Sequence, residues 1–171
     1  MNPIEVLISE EDIRARIREM ADAISEKYQG QSVVLIGILT GSVFFLTELA
    51  QKMTVPVEID FMSASSYVGT DSTGKVLITK DLERSIKGKH VIIVEDIVDT
   101  GQTLHLLCDL LKAKNPESLE IAALLDKPER RKVCCDADYI GFQIPDKFVV
   151  GWGMDYNQNY RELPYVGVLT E

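Results

Sequence analysis

Residues 91–103 read VIIVEDIVDTGQT. An apolar run leads into Glu95 and Asp96, a third carboxylate follows at Asp99, and then come Thr100, Gly101, Gln102 and Thr103. A turn of that composition at the start of a helix offers free backbone N–H groups and the positive end of the helix dipole. Thr100 and Thr103 add hydroxyl donors, and Gly101 lets the backbone come close to a ligand. This suits a phosphate, although no G-x-x-x-x-G-K-[ST] loop occurs in the chain. Two carboxylates at the end of a buried strand are costly without partners. A ribose 2′,3′-diol, with two hydroxyl donors side by side, would satisfy them, and so would a divalent cation. A sugar phosphate reconciles the two halves, with its diol on Glu95 and Asp96 and its phosphate on residues 100–103. Asp99 then lies between the sugar and the pocket mouth, free to accept a proton. TGQT alone favours an ordinary capped helix start, so the acids carry the inference.

The elements that must hold these groups are legible from periodicity. Ser9 caps a helix, with Asp12 as its capping-box partner, and Ile13, Ile17, Met20, Ile24 and Tyr28 share one face up to Gly30. VVLIGIL (33–39) is too apolar for a surface strand and reads as a buried parallel one. A helix over 42–53 and a strand over 55–62 follow. SASSYVGTDSTG (63–74) lacks periodicity and reads as a functional loop. Strands are expected at 75–79, 90–95 and 119–126, a helix at 103–113, and short strands at 139–145, 148–153 and 165–170. Strands alternating with helices predict an α/β fold with a mostly parallel twisted sheet flanked by helices. Ligands bind such sheets at the carboxyl edge, where Gly41, Glu95, Asp96 and Lys127 all fall.

The bulk numbers exclude several classes. A chain of 171 residues suits one domain, 1–171, with a real core. The net charge of −9, from 18 basic and 27 acidic residues, argues against nucleic-acid binding and against an anionic membrane surface. No apolar run reaches the length of a membrane span, and MNPIEVLISEEDIR has no basic-then-apolar leader pattern. The three cysteines, Cys108, Cys134 and Cys135, form no C-x-x-C. They read as reduced thiols of a cytoplasmic protein. The two histidines, His90 and His105, have no triad or metal-ligand spacing around them.

The 91–103 stretch resembles the phosphoribosyl-pyrophosphate motif of type I phosphoribosyltransferases, with every position of the pattern filled. LTGS (39–42) is similar to the pyrophosphate loop of the purine branch, and SSYVGTDSTG (65–74), with Ser66 and Tyr67, to its mobile active-site loop. LLDK (124–127) and PDKFVVGWGMDYNQNYR (145–161) resemble its base- and metal-binding segments. The resemblance implies that family's fold, with a small hood built from N- and C-terminal segments. It implies transfer of 5-phosphoribosyl from its 1-pyrophosphate to N9 of a 6-oxopurine, hypoxanthine or guanine, with Mg²⁺ as cofactor. Asp99 would then be the general acid or base beside purine N7. Glu95 and Asp96 would face the ribose hydroxyls and the metal, and residues 100–103 would hold the 5′-phosphate. Thr40 and Gly41 would hold pyrophosphate through their amides, helped by Arg161. Lys127 would donate to O6, Phe148 would stack on the base, Val149 would read its edge through the backbone, and Asp155 would bind magnesium. A homodimer or homotetramer with small-molecule substrates is expected. Gln102 and Thr40 stand where some relatives carry Lys, and Trp152 where Tyr is usual. By composition alone Lys127 is a solvated strand-end lysine, Phe148 a core residue, and Asp155 and Arg161 surface charges.

Two rivals share the scaffold. An adenine- or xanthine-preferring enzyme is one, and Lys127 argues against adenine. A transcriptional regulator that senses phosphoribosyl pyrophosphate is the other, and the acidic charge without a DNA-binding domain argues against it.

Overall fold

The computed structural model describes residues 4–67 and 75–170. Strand β1 (Ile4–Ile8) leads into helix α1 (Glu10–Lys27). Ser9 caps α1 by accepting from the Asp12 amide at 3.1 Å, and Glu10, Glu11 and Asp12 complement the helix dipole in the first turn. Ile13, Ile17 and Ile24 have no exposed surface, and each such side chain contributes about 1.5–3 kcal/mol by leaving water. The helix ends at Lys27, a little before the expected Gly30, which lies in the following turn at φ +78°.

Strand β2 (Val33–Ile38) is buried along its whole length and is followed by helix α2 (Val43–Lys52). Then come β3 (Val57–Tyr67), β4 (Lys75–Lys80), β5 (His90–Val98), helix α3 (Gln102–Lys112), β6 (Ser118–Asp126), a one-turn helix (Pro128–Arg130) and β7 (Tyr139–Gln143). These strands form a six-stranded sheet in the order β4-β3-β2-β5-β6-β7. It is parallel from β3 through β7, and only β4 runs antiparallel. Alternate residues serve opposite faces. Leu35, Ile92, Val94 and Leu124 pack with α1 and α2, while Ile36, Val91, Ile93 and Ala123 pack with α3. This double coverage explains why the central strands read as continuous apolar runs.

A second, antiparallel sheet of three strands has the order β1-β9-β8, where β8 is Val149–Val150 and β9 is Val166–Leu169. It is the hood, made from the two ends of the described chain. Arg14 of α1 lies 5.3 Å above the Trp152 ring and ties the hood to the core.

Three expectations are corrected. Residues 63–67, read as loop, continue β3 and pair with β4 from Ser63 to Tyr67; cross-strand hydrogen bonds override the polar composition. The rest of that loop, 68–74, lies outside the described residues. Strand β5 runs on to Val98, so Asp96 sits within it, as Glu95 does, rather than after it. The strand expected over 148–153 is only two residues long, because Gly151, Trp152 and Gly153 all adopt positive φ. All three cysteines are free, Cys108 and Cys135 buried and Cys134 exposed. Among the described residues no helix is long and apolar enough to cross a membrane.

Candidate active site

A cleft of about 210 Å³ opens at the carboxyl edge of the parallel sheet, beneath the hood. Six of the expected site residues line it: Asp96, Asp99, Lys127, Phe148, Val149 and Asp155. Ile97 and Met154 complete its wall. Neither was expected, since an isolated apolar residue carries no sequence mark of a pocket.

The floor is the end of β5. The carboxyls of Glu95 and Asp96 reach some solvent by surface area, yet protein atoms crowd around both. That crowding keeps bulk water from fully hydrating either group. Burial pushes Glu95 well above the usual carboxylate range, and the negative charge of Asp96 adds to it. Burial raises Asp96 as well, opposed by the Ile97 amide at 2.8 Å and by the charge of Arg161. The protein thus supplies too few donors for two ionised groups. A diol or a divalent cation would supply the remainder. Among the described residues no three acidic, His or Cys side chains converge as a ready cation cage. Glu95, Asp96 and Asp155 thus form no closed protein shell, and a cation beside them would also need water and substrate phosphates, the manner in which Mg²⁺ is commonly held.

Past β5 the chain turns through Asp99 and Thr100 into α3. Gly101 caps that helix in the left-handed region at φ +80°, where a side chain would be strained. No acidic residue lies in the first turn of α3, so its positive end stays available to an anion. The turn is pinned from behind, since Lys127 N donates to Val98 O and Lys132 N to Thr100 O, both at 2.9 Å.

Facing Asp96 is the loop between β2 and α2. The Leu39–Thr40 peptide is cis. A Cβ on Gly41 would lie 1.9 Å from Asp96 Oδ2, so only glycine allows the loop to rest on that carboxylate. The loop is gripped on its other side too, because Gly153 of the hood packs against Gly41 O. Arg161 Nη1 donates to Gly153 O at 2.6 Å, and its Nη2 lies 3.1 Å from Asp155 Oδ1. Thr40, Gly41, Asp155 and Arg161 thus form one connected edge beside the carboxylate pair.

On the base side, Lys127 is 7% exposed, which corrects the composition-based reading of a solvated lysine. Phe148 is 55% exposed, held edge-on against Tyr156 at 5.7 Å, and so presents an open ring rather than a core one. Val149 is fixed by pairing with Val168 in the hood. Asp99 has an unforeseen neighbour: Arg130 Nε lies 2.6 Å from Asp99 Oδ1. The pair is charge-matched but poorly aligned, and that buried oxygen has no hydrogen-bond donor among the described residues. Ser66 and Tyr67 form the end of β3.

The cleft brings the carboxylates of Asp96 and Asp99 together with a buried cation and an open aromatic ring, and Glu95 and an anion-accepting turn adjoin it in the chain. That is the equipment of an enzyme handling a sugar phosphate and a flat polar ring together. The phosphoribosyl transferase domain matches residues 8–158, and the chain belongs to that family. More particularly, it is 50% identical over 167 residues to the hypoxanthine phosphoribosyltransferase of Salmonella typhimurium, covering 96% of this chain and 94% of that protein. It is 52% identical over 165 residues to the hypoxanthine-guanine phosphoribosyltransferase of Staphylococcus epidermidis, covering 96% and 92%. The hypoxanthine phosphoribosyltransferase of Trypanosoma cruzi, solved with its product IMP, superposes with a TM-score of 0.92 at 42% identity, covering 99% of this chain and 95% of that one.

Proposed function

We propose that this protein is a purine-salvage transferase that moves 5-phosphoribosyl from 5-phosphoribosyl 1-pyrophosphate to N9 of hypoxanthine or guanine, giving IMP or GMP and pyrophosphate. The observation that carries this reading is the meeting, in one cleft, of buried Lys127 with the carboxylates of Asp96 and Asp99. An ammonium only donates hydrogen bonds, so it selects a ring with an acceptor at position 6. The carboxylates only accept when ionised, so they select the ribose diol.

The residues divide the work. Asp99 exchanges a proton with the purine N7, and the turn 100–103 receives the 5′-phosphate. Phe148 and the Val149 backbone orient the base. As the glycosidic bond to pyrophosphate breaks, positive charge develops at the sugar C1, and the nearby carboxylates stabilise it. The Thr40 and Gly41 amides and Arg161 receive the charge that grows on the leaving group. Mg²⁺, held near Glu95, Asp96 and Asp155, supplies further positive charge for that pyrophosphate when bound. The whole of 1–171 acts as one domain, in the cytoplasm, as a homodimer or homotetramer.

The test is steady-state kinetics with phosphoribosyl pyrophosphate, Mg²⁺ and each of hypoxanthine, guanine, xanthine and adenine. IMP and GMP should form, and Asp99→Asn should lower kcat by about 10²-fold or more, the range of general acid–base catalysis. Absence of nucleotide from either 6-oxopurine would overturn the assignment, and undiminished turnover in Asp99→Asn would remove Asp99 from it.

A further inference from the structure

Four charged side chains alternate in sign along the base side of the cleft. Lys127 Nζ lies 3.9 Å from Asp146 Oδ1. The same oxygen lies 3.5 Å from Arg130 Nη1, and Arg130 Nε lies 2.6 Å from Asp99 Oδ1. The series joins the residue assigned to the purine O6 with the residue assigned to its proton. Arg130 holds neither role. It ends the one-turn helix that follows Lys127, and its backbone N–H donates to Lys127 O, so its backbone is held beside that lysine while its side chain is free to turn.

The distances are unequal in a telling way. Charge-assisted hydrogen bonds settle at about 2.7–2.9 Å. Asp146 Oδ1 is shared by two cations, and both stand beyond that range. Arg130 meanwhile sits tightly on Asp99, on an oxygen that has no aligned hydrogen bond among the described residues. Without a purine, then, Arg130 belongs mainly to Asp99. A base whose O6 takes the Lys127 ammonium draws that cation away from Asp146. Asp146 then has a single cation to hold, and Arg130 can swing from Asp99 to it.

We infer that Arg130 is a positioning residue that caps Asp99 until a purine engages Lys127, through the charge series Lys127–Asp146–Arg130–Asp99. The inference rests on the function proposed above. Its use is protection of the sugar donor. An uncapped Asp99 carboxylate could take a proton from water. The water oxygen would then form a bond to the sugar C1, the bond from C1 to pyrophosphate would break, and the donor would be lost as ribose 5-phosphate and pyrophosphate. Capping holds the Asp99 charge on Arg130, which weakens it as a base toward water, and releases it to the purine.

Hydrolysis of phosphoribosyl pyrophosphate without any purine is the discriminating readout, measured beside transfer to hypoxanthine. Arg130→Met should raise hydrolysis by about tenfold or more, a modest part of what a general base supplies, while nucleotide formation stays within about tenfold of wild type. Arg130→Lys should restore most of the wild-type ratio of transfer to hydrolysis. Asp146→Asn should do the opposite of Arg130→Met: it leaves Arg130 on Asp99, so kcat for transfer falls several-fold and hydrolysis stays low. Unchanged hydrolysis in Arg130→Met would overturn the inference, as would a fall in both reactions by the same factor in both Arg130→Met and Asp146→Asn. If the wild-type chain makes no nucleotide, the proposed function fails and this inference falls with it. If it makes nucleotide and the ratios do not move, only the inference fails.

Discussion

Replacing Gly41 by alanine adds one methyl group and should disable the site. The new Cβ would stand 1.9 Å from Asp96 Oδ2 and 2.7 Å from Asp96 Cγ, whereas ordinary contact begins at 3.4 Å. Something must therefore move by about 1.5 Å. The loop cannot easily retreat, because Gly153 packs on the carbonyl of the same residue and Arg161 holds Gly153 through its own carbonyl. The carboxylate is the part that gives, and it leaves the Ile97 amide that partly offsets its burial. Misplacing a catalytic or substrate-holding group by about 1 Å costs on the order of 10²-fold in rate. We expect Gly41→Ala to lose at least that much kcat/KM for phosphoribosyl pyrophosphate. The affinity for the purine base should change far less, because Lys127 and Phe148 lie across the cleft. Initial rates against each substrate in turn, with circular dichroism to confirm folding, give the comparison. A folded variant with kcat/KM for the sugar donor within threefold of wild type would show that the loop and carboxylate do not act as a unit.

The choice of base should reside at Lys127. Buried polar mismatches discriminate by roughly 10⁴-fold or more, so adenine, with an amino donor at position 6, should be a negligible substrate. Lys127→Ala should lose most activity on hypoxanthine and most of the hypoxanthine-to-adenine ratio in kcat/KM; an unaltered large ratio would place selectivity elsewhere. A pH-dependent test concerns Glu95. Because its folded value is raised above the ordinary 4.5, the folded state holds a proton that the unfolded state has released. That contribution to stability is complete below the ordinary value and is lost as pH rises through the raised one. Glu95→Gln should therefore melt higher than wild type at pH 8, by about 2–4 °C per kcal/mol relieved. The gap should close as pH falls toward 4.5; a gap independent of pH would mean that the Glu95 charge is not under strain.

The parts of this molecule that sequence reveals are those whose partners are near in the chain. Ile13, Ile17, Met20 and Ile24 fall on one helical face by spacing alone, and all four are buried. Glu95 through Thr103 is contiguous, so its division into acid and phosphate halves could be read directly. What escaped notice depends on distant partners. IEVLI at 4–8 is too short to stand out, and its strand partner lies more than 150 residues away, Ile4 against Leu169. SASSY reads as loop until β4 supplies its hydrogen bonds. Lys127 and Phe148 have composition-based expectations opposite to their observed burial, because depth is set by the hood. Arg130 stands in PERRK, a run that any composition rule assigns to solvent; only the fold brings it to Asp99.

The pairing of Ile4 with Leu169 also has a mechanical side. Adjacent strands lie about 4.8 Å apart, so residues at opposite ends of the sequence meet at one corner of the hood. Tension applied there separates β1 from β9 one hydrogen bond at a time, as a zipper opens, instead of shearing the whole ladder at once. Val149 depends on β9 for its place, whereas the six-stranded sheet shares no strand with the hood. Force applied through β1 or β9 would therefore dismantle the wall of the base pocket first. The chain would fall silent as a catalyst while most of its core was still folded.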